Sequence, residues 1–185
     1  LGEMRIGVHE VLIQEALARA ASADPELIRR ATLFRSDLSE VARIALEEGA
    51  AGLRQVGVRL FIPLLPMLAE LSQDFGEVLA AHEGLTALEF KYDGARIQLH
   101  KAGGEVRIWS RRLTEVTASL PELVEIARRE LRTDSCILDG EVVAVGRDGR
   151  PLPFQELMRR FRRIHDVEAA AREVPLALYF FDCLL

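Results

Sequence analysis

The chain has 185 residues, of which 49% are hydrophobic and 29% charged, so it is apolar enough to fold around a sizeable core. No apolar run approaches the roughly 18 residues that a membrane span needs, and two cysteines exclude a disulfide framework. A net charge of −5 argues against a nucleic-acid binder that presents a broad basic field. These features are typical of a cytoplasmic protein with reduced thiols.

The first fifty residues predict short helices, because alanine, leucine and isoleucine recur near helical spacing. Asp24-Pro25 begins the second of them, since aspartate caps free amides and proline suits the first helical position. Ser36 or Asp37 caps the third. The predicted helices cover residues 8–21, 25–34 and 37–48, and residues 50–52 are either a linker or the start of another short helix.

From residue 58 the pattern changes to strands separated by turns. The dipeptides Asp93-Gly94, Gly103-Gly104 and Asp148-Gly149 predict tight hairpins. Strands are predicted at 58–62, 85–91, 95–101, 105–110, 136–145 and, as a final buried strand, 175–185; helices are predicted at 72–82, 121–131 and 154–161. The fold class is therefore α+β, with a helical N-terminal segment followed by an antiparallel β-rich part with flanking helices.

Lysine is rare in this sequence, which contains only Lys91 and Lys101 beside 22 arginines. Strand alternation places Glu89 and Lys91 on one face, and a turn at Asp93-Gly94 would bring Arg96 back alongside. One interpretation is an ordinary β-hairpin with a surface lysine and arginine. The other makes Lys91 a nucleophile, because burial and neighbouring cations such as Arg96 and Arg111 favour a neutral amine that can attack phosphate.

Three later runs could carry chemistry. Asp139 and Glu141 interrupt an apolar strand on one face, where buried carboxylates need cations, metal or hydroxyl donors; a carboxylate pair at a hairpin edge is the alternative. Ser110-Arg111 ends a strand and is weak by itself. The run Tyr179 to Asp182 reads as a core strand in which one ring could also face a ligand. Phosphate-binding loops of the G-x-x-x-x-G-K-[ST] or G-x-G-x-x-G type are absent, so nucleotide chemistry would need another device.

Together these elements resemble the ATP-dependent DNA ligases of the covalent nucleotidyltransferase superfamily. Lys91 to Arg96 matches the motif K-x-D-G-x-R, and S-R, D-G-E and aromatic-F-D follow in the family's order at Ser110-Arg111, Asp139 to Glu141 and Tyr179 to Asp182. The resemblance implies two domains, with residues 1–56 from the end of a helical DNA-binding domain and 57–185 from the first part of the adenylation (nucleotidyltransferase) domain. It also implies a fragment without the later motifs and the OB-fold, which would not seal nicks by itself.

The resemblance further implies a reaction. Lys91 attacks the α-phosphate of ATP, expels pyrophosphate and holds AMP as a phosphoramidate, with Mg²⁺ neutralising the triphosphate. AMP then passes to the 5′-phosphate of nicked double-stranded DNA, and the 3′-hydroxyl displaces it to seal the strand. The protein is expected to be a cytoplasmic monomer that does not bind membranes.

Five further residues are implied to bind the nucleotide. Glu89 recognises the exocyclic amine of adenine and Phe181 stacks on its ring. Arg96 and Arg111 contact the ribose and phosphates, and Glu141 binds the ribose or a metal-bound water. No metal ligand is assigned.

Two alternatives remain open from the sequence. An RNA ligase or mRNA-capping-type nucleotidyltransferase shares the lysine motif, and a non-catalytic DNA-binding module would keep the fold without the chemistry. The scattered histidines, His100 among them, predict structural or surface roles, and Cys136 and Cys183 are predicted to be core residues.

Overall fold

The computed structural model describes residues 10–67, 69–161, 163 and 165–185, and confirms the α+β class. The helices within those residues are α1 Glu10–Ala20, α2 Pro25–Phe34, α3 Leu38–Glu47, α4 Gly49–Gln55, α5 Phe75–Ala81, α6 Pro121–Glu130, α7 Phe154–Phe161 and α8 Val167–Glu173. The strands are β1 Ala95–Ala102, β2 Glu105–Ser110, β3 Ser135–Ala144 and β4 Leu176–Cys183. Across these described ranges, every helix is too short or too polar to cross a bilayer.

Helices α1 to α4 form a separate apolar cluster at the start of the chain. The Asp24 carboxylate accepts a hydrogen bond from the Glu26 amide at 2.9 Å, with proline at the first helical position, as predicted. Asp37, rather than Ser36, caps α3. Residues 49–55 continue as a fourth helix, which resolves the choice that the sequence left open. Residues 8 and 9 of the first predicted helix lie outside the described residues.

The four strands form one antiparallel sheet in the order β2-β1-β3-β4. One face is apolar, and Ile97, Leu99 and Val142 pack there against Leu123 of α6 and Leu157 of α7, all of them buried. Since side chains alternate along a strand, the opposite face carries Arg96, Gln98 and His100 of β1. We call this second surface the polar face; it positions the candidate site.

The predicted strand at 58–62 is wrong, because these residues contain turns and join no sheet edge. They belong to a segment, residues 58–66, that lies against the polar face and that we call the strap. The Phe61 amide donates to Nδ1 of His100 and the Leu64 amide to Oε1 of Gln98, each at 2.8 Å. Side chains of β1 therefore satisfy amides that a neighbouring strand would otherwise have paired.

The predicted strand at 85–91 and the hairpin at Asp93-Gly94 are also wrong. Residues 85–93 form no regular structure, and β1 begins at Ala95 between β2 and β3. Gly94 is required for a different reason: a Cβ there would lie 2.2 Å from the Val142 carbonyl oxygen, so only glycine permits this approach of the backbone to β3. The helix predicted at 72–82 is confirmed as the shorter α5.

Strand β4 is an edge strand, and its second half is exposed rather than buried as predicted. Cys183 is accordingly exposed, which corrects its assignment to the core, whereas Cys136 of β3 is buried. Burial raises the pKa of the Cys136 thiol. The remaining strands and α6 and α7 form at the predicted positions, whereas α8 was not predicted.

Candidate functional site

An open cleft of about 690 Å³ lies at the end of the polar face where the strap leaves it. All six residues singled out from the sequence line this cleft: Glu89, Lys91, Arg96, Arg111, Glu141 and Phe181. The wall is completed by Met67, Ala69, Phe90, Tyr92, Gly94 and Phe154. Residues far apart in the chain are therefore gathered around one space large enough for a small ligand.

Lys91 is held at the cleft by its neighbours in the chain, although no strand contains it. The Tyr92 ring stacks on Tyr179 of β4 with 4.2 Å between centroids and 11° between planes, and Gly94 lies against the backbone of β3. Lys91 is exposed to solvent, which corrects the expectation that burial neutralises its amine. Its position at the cleft is fixed by aromatic stacking and strand contact.

Arg96 is fixed by a buried carboxylate. Its Nε and Nη2 donate to Asp139 at 3.0 and 2.8 Å, and Asp139 is only 5% exposed. The hydrogen bond to Asp139 raises the pKa of the guanidinium. The pair offsets much of the positive potential that Arg96 was expected to create near Lys91, so Arg96 is better regarded as a rigid hydrogen-bond donor at the cleft.

Glu141 lies directly opposite Arg96 in the β1–β3 register, on the polar face. Burial raises the pKa of this carboxyl, while the charges of Arg96 and Lys91 act in the opposite direction. A half-buried carboxylate beside an amine and a guanidinium can accept hydrogen bonds from the hydroxyl groups of a ligand.

Phe181 reaches the cleft at an irregularity in β4. Asp139 pairs with Asp182 and Gly140 with Phe180, so Phe181 is the extra residue of a β-bulge. Gly140 is needed there, since a Cβ would meet the Tyr179 carbonyl oxygen at 2.6 Å. Phe181 is 42% exposed, and the centroid of its ring lies 5.6 Å from the guanidinium carbon of Arg96. A ligand that stacks on an aromatic ring can therefore reach it.

Arg111 and Glu89 approach the cleft from two loops. Arg111 follows β2 in a turn that is closed by a hydrogen bond from the Leu113 amide to the Ser110 carbonyl at 2.8 Å. Glu89 lies in the irregular segment before Lys91 and is exposed. Both side chains therefore meet the ligand space from the solvent side, whereas Arg96 and Glu141 meet it from the sheet.

Residues 66–185 match the family described as "ATP dependent DNA ligase domain". The chain belongs to this family. A DNA ligase of Methanothrix thermoacetophila is 47% identical over 182 residues, 98% of this chain and 32% of the relative. A DNA ligase of Thermococcus fumicolans is 45% identical over 184 residues, 100% of this chain and 33% of the relative. The chain thus spans about a third of the length of these DNA ligases.

Among solved structures, the ligase domain of M. tuberculosis LigD matches with a TM-score of 0.40 and 29% identity, covering 52% of this chain and 28% of that one.

Within the described residues of the ligase domain, the side chains that could bind Mg²⁺ do not form a cluster. No group of three or more His, Cys, Asp or Glu side chains there is placed to hold a metal ion. Asp139 is committed to Arg96 through both carboxylate oxygens. The described residues therefore provide no cluster of three or more protein ligands for a metal ion, and Mg²⁺ stays a prediction of the family resemblance.

Sequence reasoning missed how the site is supported. It left Tyr92 without a role and noted Asp139 without its partner. Tyr92 is a variable position of the K-x-D-G-x-R motif and Asp139 belongs to the D-G-E motif. The Tyr92–Tyr179 stack depends on the β3–β4 register, which no local pattern reveals. Met67 belongs to a run, Pro66 to Leu68, that resembles the family's entry to the adenylation domain, but nothing in the sequence predicted that its carbonyl accepts from Nη1 of Arg96 at 3.5 Å.

Proposed function

We propose that this chain carries the adenylate-forming site of an ATP-dependent DNA ligase, with Lys91 as the nucleophile. The neutral amine attacks the α-phosphorus of ATP, a P–N bond forms, and the bond from that phosphorus to the pyrophosphate oxygen breaks. Pyrophosphate leaves, the amine proton goes to solvent, and AMP stays on Lys91 as a phosphoramidate. The observation that carries this proposal is the convergence of Lys91 and the five other predicted residues on one cleft.

The nucleotide roles follow from where each side chain lies. The exposed ring of Phe181 offers a stacking surface for adenine, and Glu89 offers an acceptor for its exocyclic amine. Glu141 accepts from a ribose hydroxyl. Arg96 and Arg111 donate to the ribose and phosphate oxygens; since Asp139 already fixes Arg96, little reorganisation opposes that contact.

The amine must lose its proton before it attacks, and the described cleft does not enclose it. Lys91 is exposed, and Arg96 is paired with Asp139. We therefore propose that water is excluded from Lys91 by the bound nucleotide and by further parts of the ligase, as substrate closure does in many transferases. Lys91 alone would then be a weak nucleophile in the 185-residue chain.

The later steps and the context of the protein belong to the same proposal. AMP passes to the 5′-phosphate of nicked double-stranded DNA, and the attack of the 3′-hydroxyl on that phosphorus releases AMP and seals the strand. The DNA ligase names of the relatives favour DNA over RNA as the substrate. A division into residues 1–56 and 57–185 is supported by the helical core ending at Val56. The working state is proposed to be a cytoplasmic monomer.

The decisive experiment uses the two lysines. The complete gene product is incubated with ATP labelled at the α-phosphate and Mg²⁺, then separated on a denaturing gel. Lys91→Arg is expected to abolish the label, whereas Lys101→Arg, at the buried lysine whose amine donates to the Thr133 carbonyl, keeps it. Label on Lys91→Arg, or none on the wild type, would refute the proposal. The isolated 185-residue chain is expected not to seal nicked DNA.

A further inference from the structure

The strap is attached to β1 by side chains rather than by strand pairing. His100, Gln98 and Arg96 are successive residues on the polar face of β1, and they bind backbone groups of Phe61, Leu64 and Met67 respectively. Every second residue of β1 thus binds every third residue of the strap, and the series extends to Met67, the residue after the strap. The match ends at Met67, which lines the cleft.

The two central groups are buried polar side chains. His100 is fully buried and Gln98 is 6% exposed. The Phe61 amide can only donate, so Nδ1 of His100 is an acceptor and Nε2 carries the proton, which it donates to Oε1 of Gln98 at 2.9 Å. The same oxygen accepts from the Leu64 amide, so one neutral tautomer of His100 and one orientation of Gln98 satisfy the whole network.

Packing alone does not require these residue types. Apolar side chains would cover this part of the sheet without the cost of burying an amide and an imidazole. Hydrogen bonds with fixed donors and acceptors, unlike apolar contacts, also set the register of the strap along β1. A slip of the strap by one residue would break both bonds and move Met67 away from Arg96.

We propose that Gln98 and His100 are positioning residues for nucleotide binding, which act by holding the strap so that Met67 forms the wall of the cleft beside Arg96. This inference rests on the proposed adenylation of Lys91. Neither residue lines the cleft, so their effect reaches the nucleotide through the strap.

The test separates positioning from stability with four variants of the complete gene product. Gln98→Met and His100→Leu remove the acceptors at similar size. His100→Asn keeps an acceptor near the position of Nδ1. Ile108→Val trims a buried side chain on the opposite, apolar face of the sheet.

We expect Gln98→Met and His100→Leu to raise the KM for ATP in lysyl-AMP formation about fivefold, the factor set by one neutral hydrogen bond, with the rate at saturating ATP within about twofold of wild type. Exchange of the Phe61 and Leu64 amides with solvent should accelerate in both. His100→Asn, which keeps an acceptor, should have a KM close to that of the wild type, and Ile108→Val should leave the KM unchanged.

Two results would overturn the inference. One is a wild-type KM in Gln98→Met and His100→Leu, and the other is an equal rise in Ile108→Val, which would make the role one of general stability. An unlabelled wild type would instead refute the proposed function, so the two failures are distinguishable.

Discussion

Acid is expected to weaken the fold through His100. Burial lowers the pKa of this imidazole from 6.5 to about 4, and Nδ1 faces the amide hydrogen of Phe61 rather than an acceptor. Protonation would place two N–H groups against each other in a site closed by the rings of Phe61 and Trp109. The folded state therefore resists a proton that the unfolded chain accepts.

The sign and size follow from proton linkage. Between pH 6.5 and about 4 the unfolded chain binds more protons at this site than the folded one, so the free energy of unfolding falls as the pH is lowered through that window. At about 1.36 kcal/mol for each unit of pKa shift, lowering the pH from 7 to 4.5 should remove about 2 kcal/mol. The raised pKa of Glu141 acts oppositely, because its protonation at low pH favours the fold.

The measurement compares pH slopes, which cancels Glu141. Unfolding free energies of the wild type and His100→Asn are determined by urea denaturation at several values between pH 7 and 4.5, with His165→Asn as the exposed control. The variant loses some stability at pH 7, but its pH dependence should be shallower than that of the wild type by about 2 kcal/mol over this range. Equal slopes would refute the assignment of a buried, neutral imidazole.

Three further predictions concern the cleft itself. Gly94→Ala places a methyl group against the Val142 carbonyl and should cost at least about 2 kcal/mol of unfolding free energy in the same denaturation assay. Gly104→Ala is the control, because open space surrounds that position, and it should cost under about 1 kcal/mol. Phe181→Leu should weaken ATP binding about tenfold in calorimetric titrations, and Phe180→Leu should not, if stacking is the contact that Phe181 provides. Asp139→Asn should cost about 1 to 2 kcal/mol of stability and weaken ATP binding, since Arg96 loses the charged acceptor that fixes it; unchanged binding would contradict that role.

The sequence predicted those elements whose signals, such as caps, turns and strand alternation, lie within the element itself. Strand alternation and the Gly103 turn give β1 and β2, and Asp24-Pro25 gives the start of α2. It failed at 58–62 and 85–91, where apolar residues alternate as in a strand but the hydrogen-bond partners are decided elsewhere. In the strap those partners are the Gln98 and His100 side chains, more than thirty residues away.

The sequence grouped six residues as a candidate site, and their roles there stay predictions. It did not predict the electrostatics of the cleft that they line. A motif identifies which residue types occur together, and all six do line one cleft. It does not predict that Lys91 is exposed, that Arg96 forms a salt bridge with Asp139, or that Phe181 is the extra residue of a β-bulge. Each of these depends on strand register or on solvent access, which are properties of the assembled sheet.

The charges around the cleft bear on which part of ATP it would hold under the proposed function. Lys91, Arg96 and Arg111 supply three positive charges, and Glu89 and Glu141 line the same space with negative ones. Asp139 and Asp182 add two more carboxylates close enough to act on Arg96. This set cannot offset a triphosphate, whereas it does provide a ring, hydroxyl acceptors and one rigid guanidinium for a nucleoside. Under the proposed function, the cleft would hold the adenosine end of ATP, and the charge that draws pyrophosphate away would come from Mg²⁺ or from other parts of a ligase.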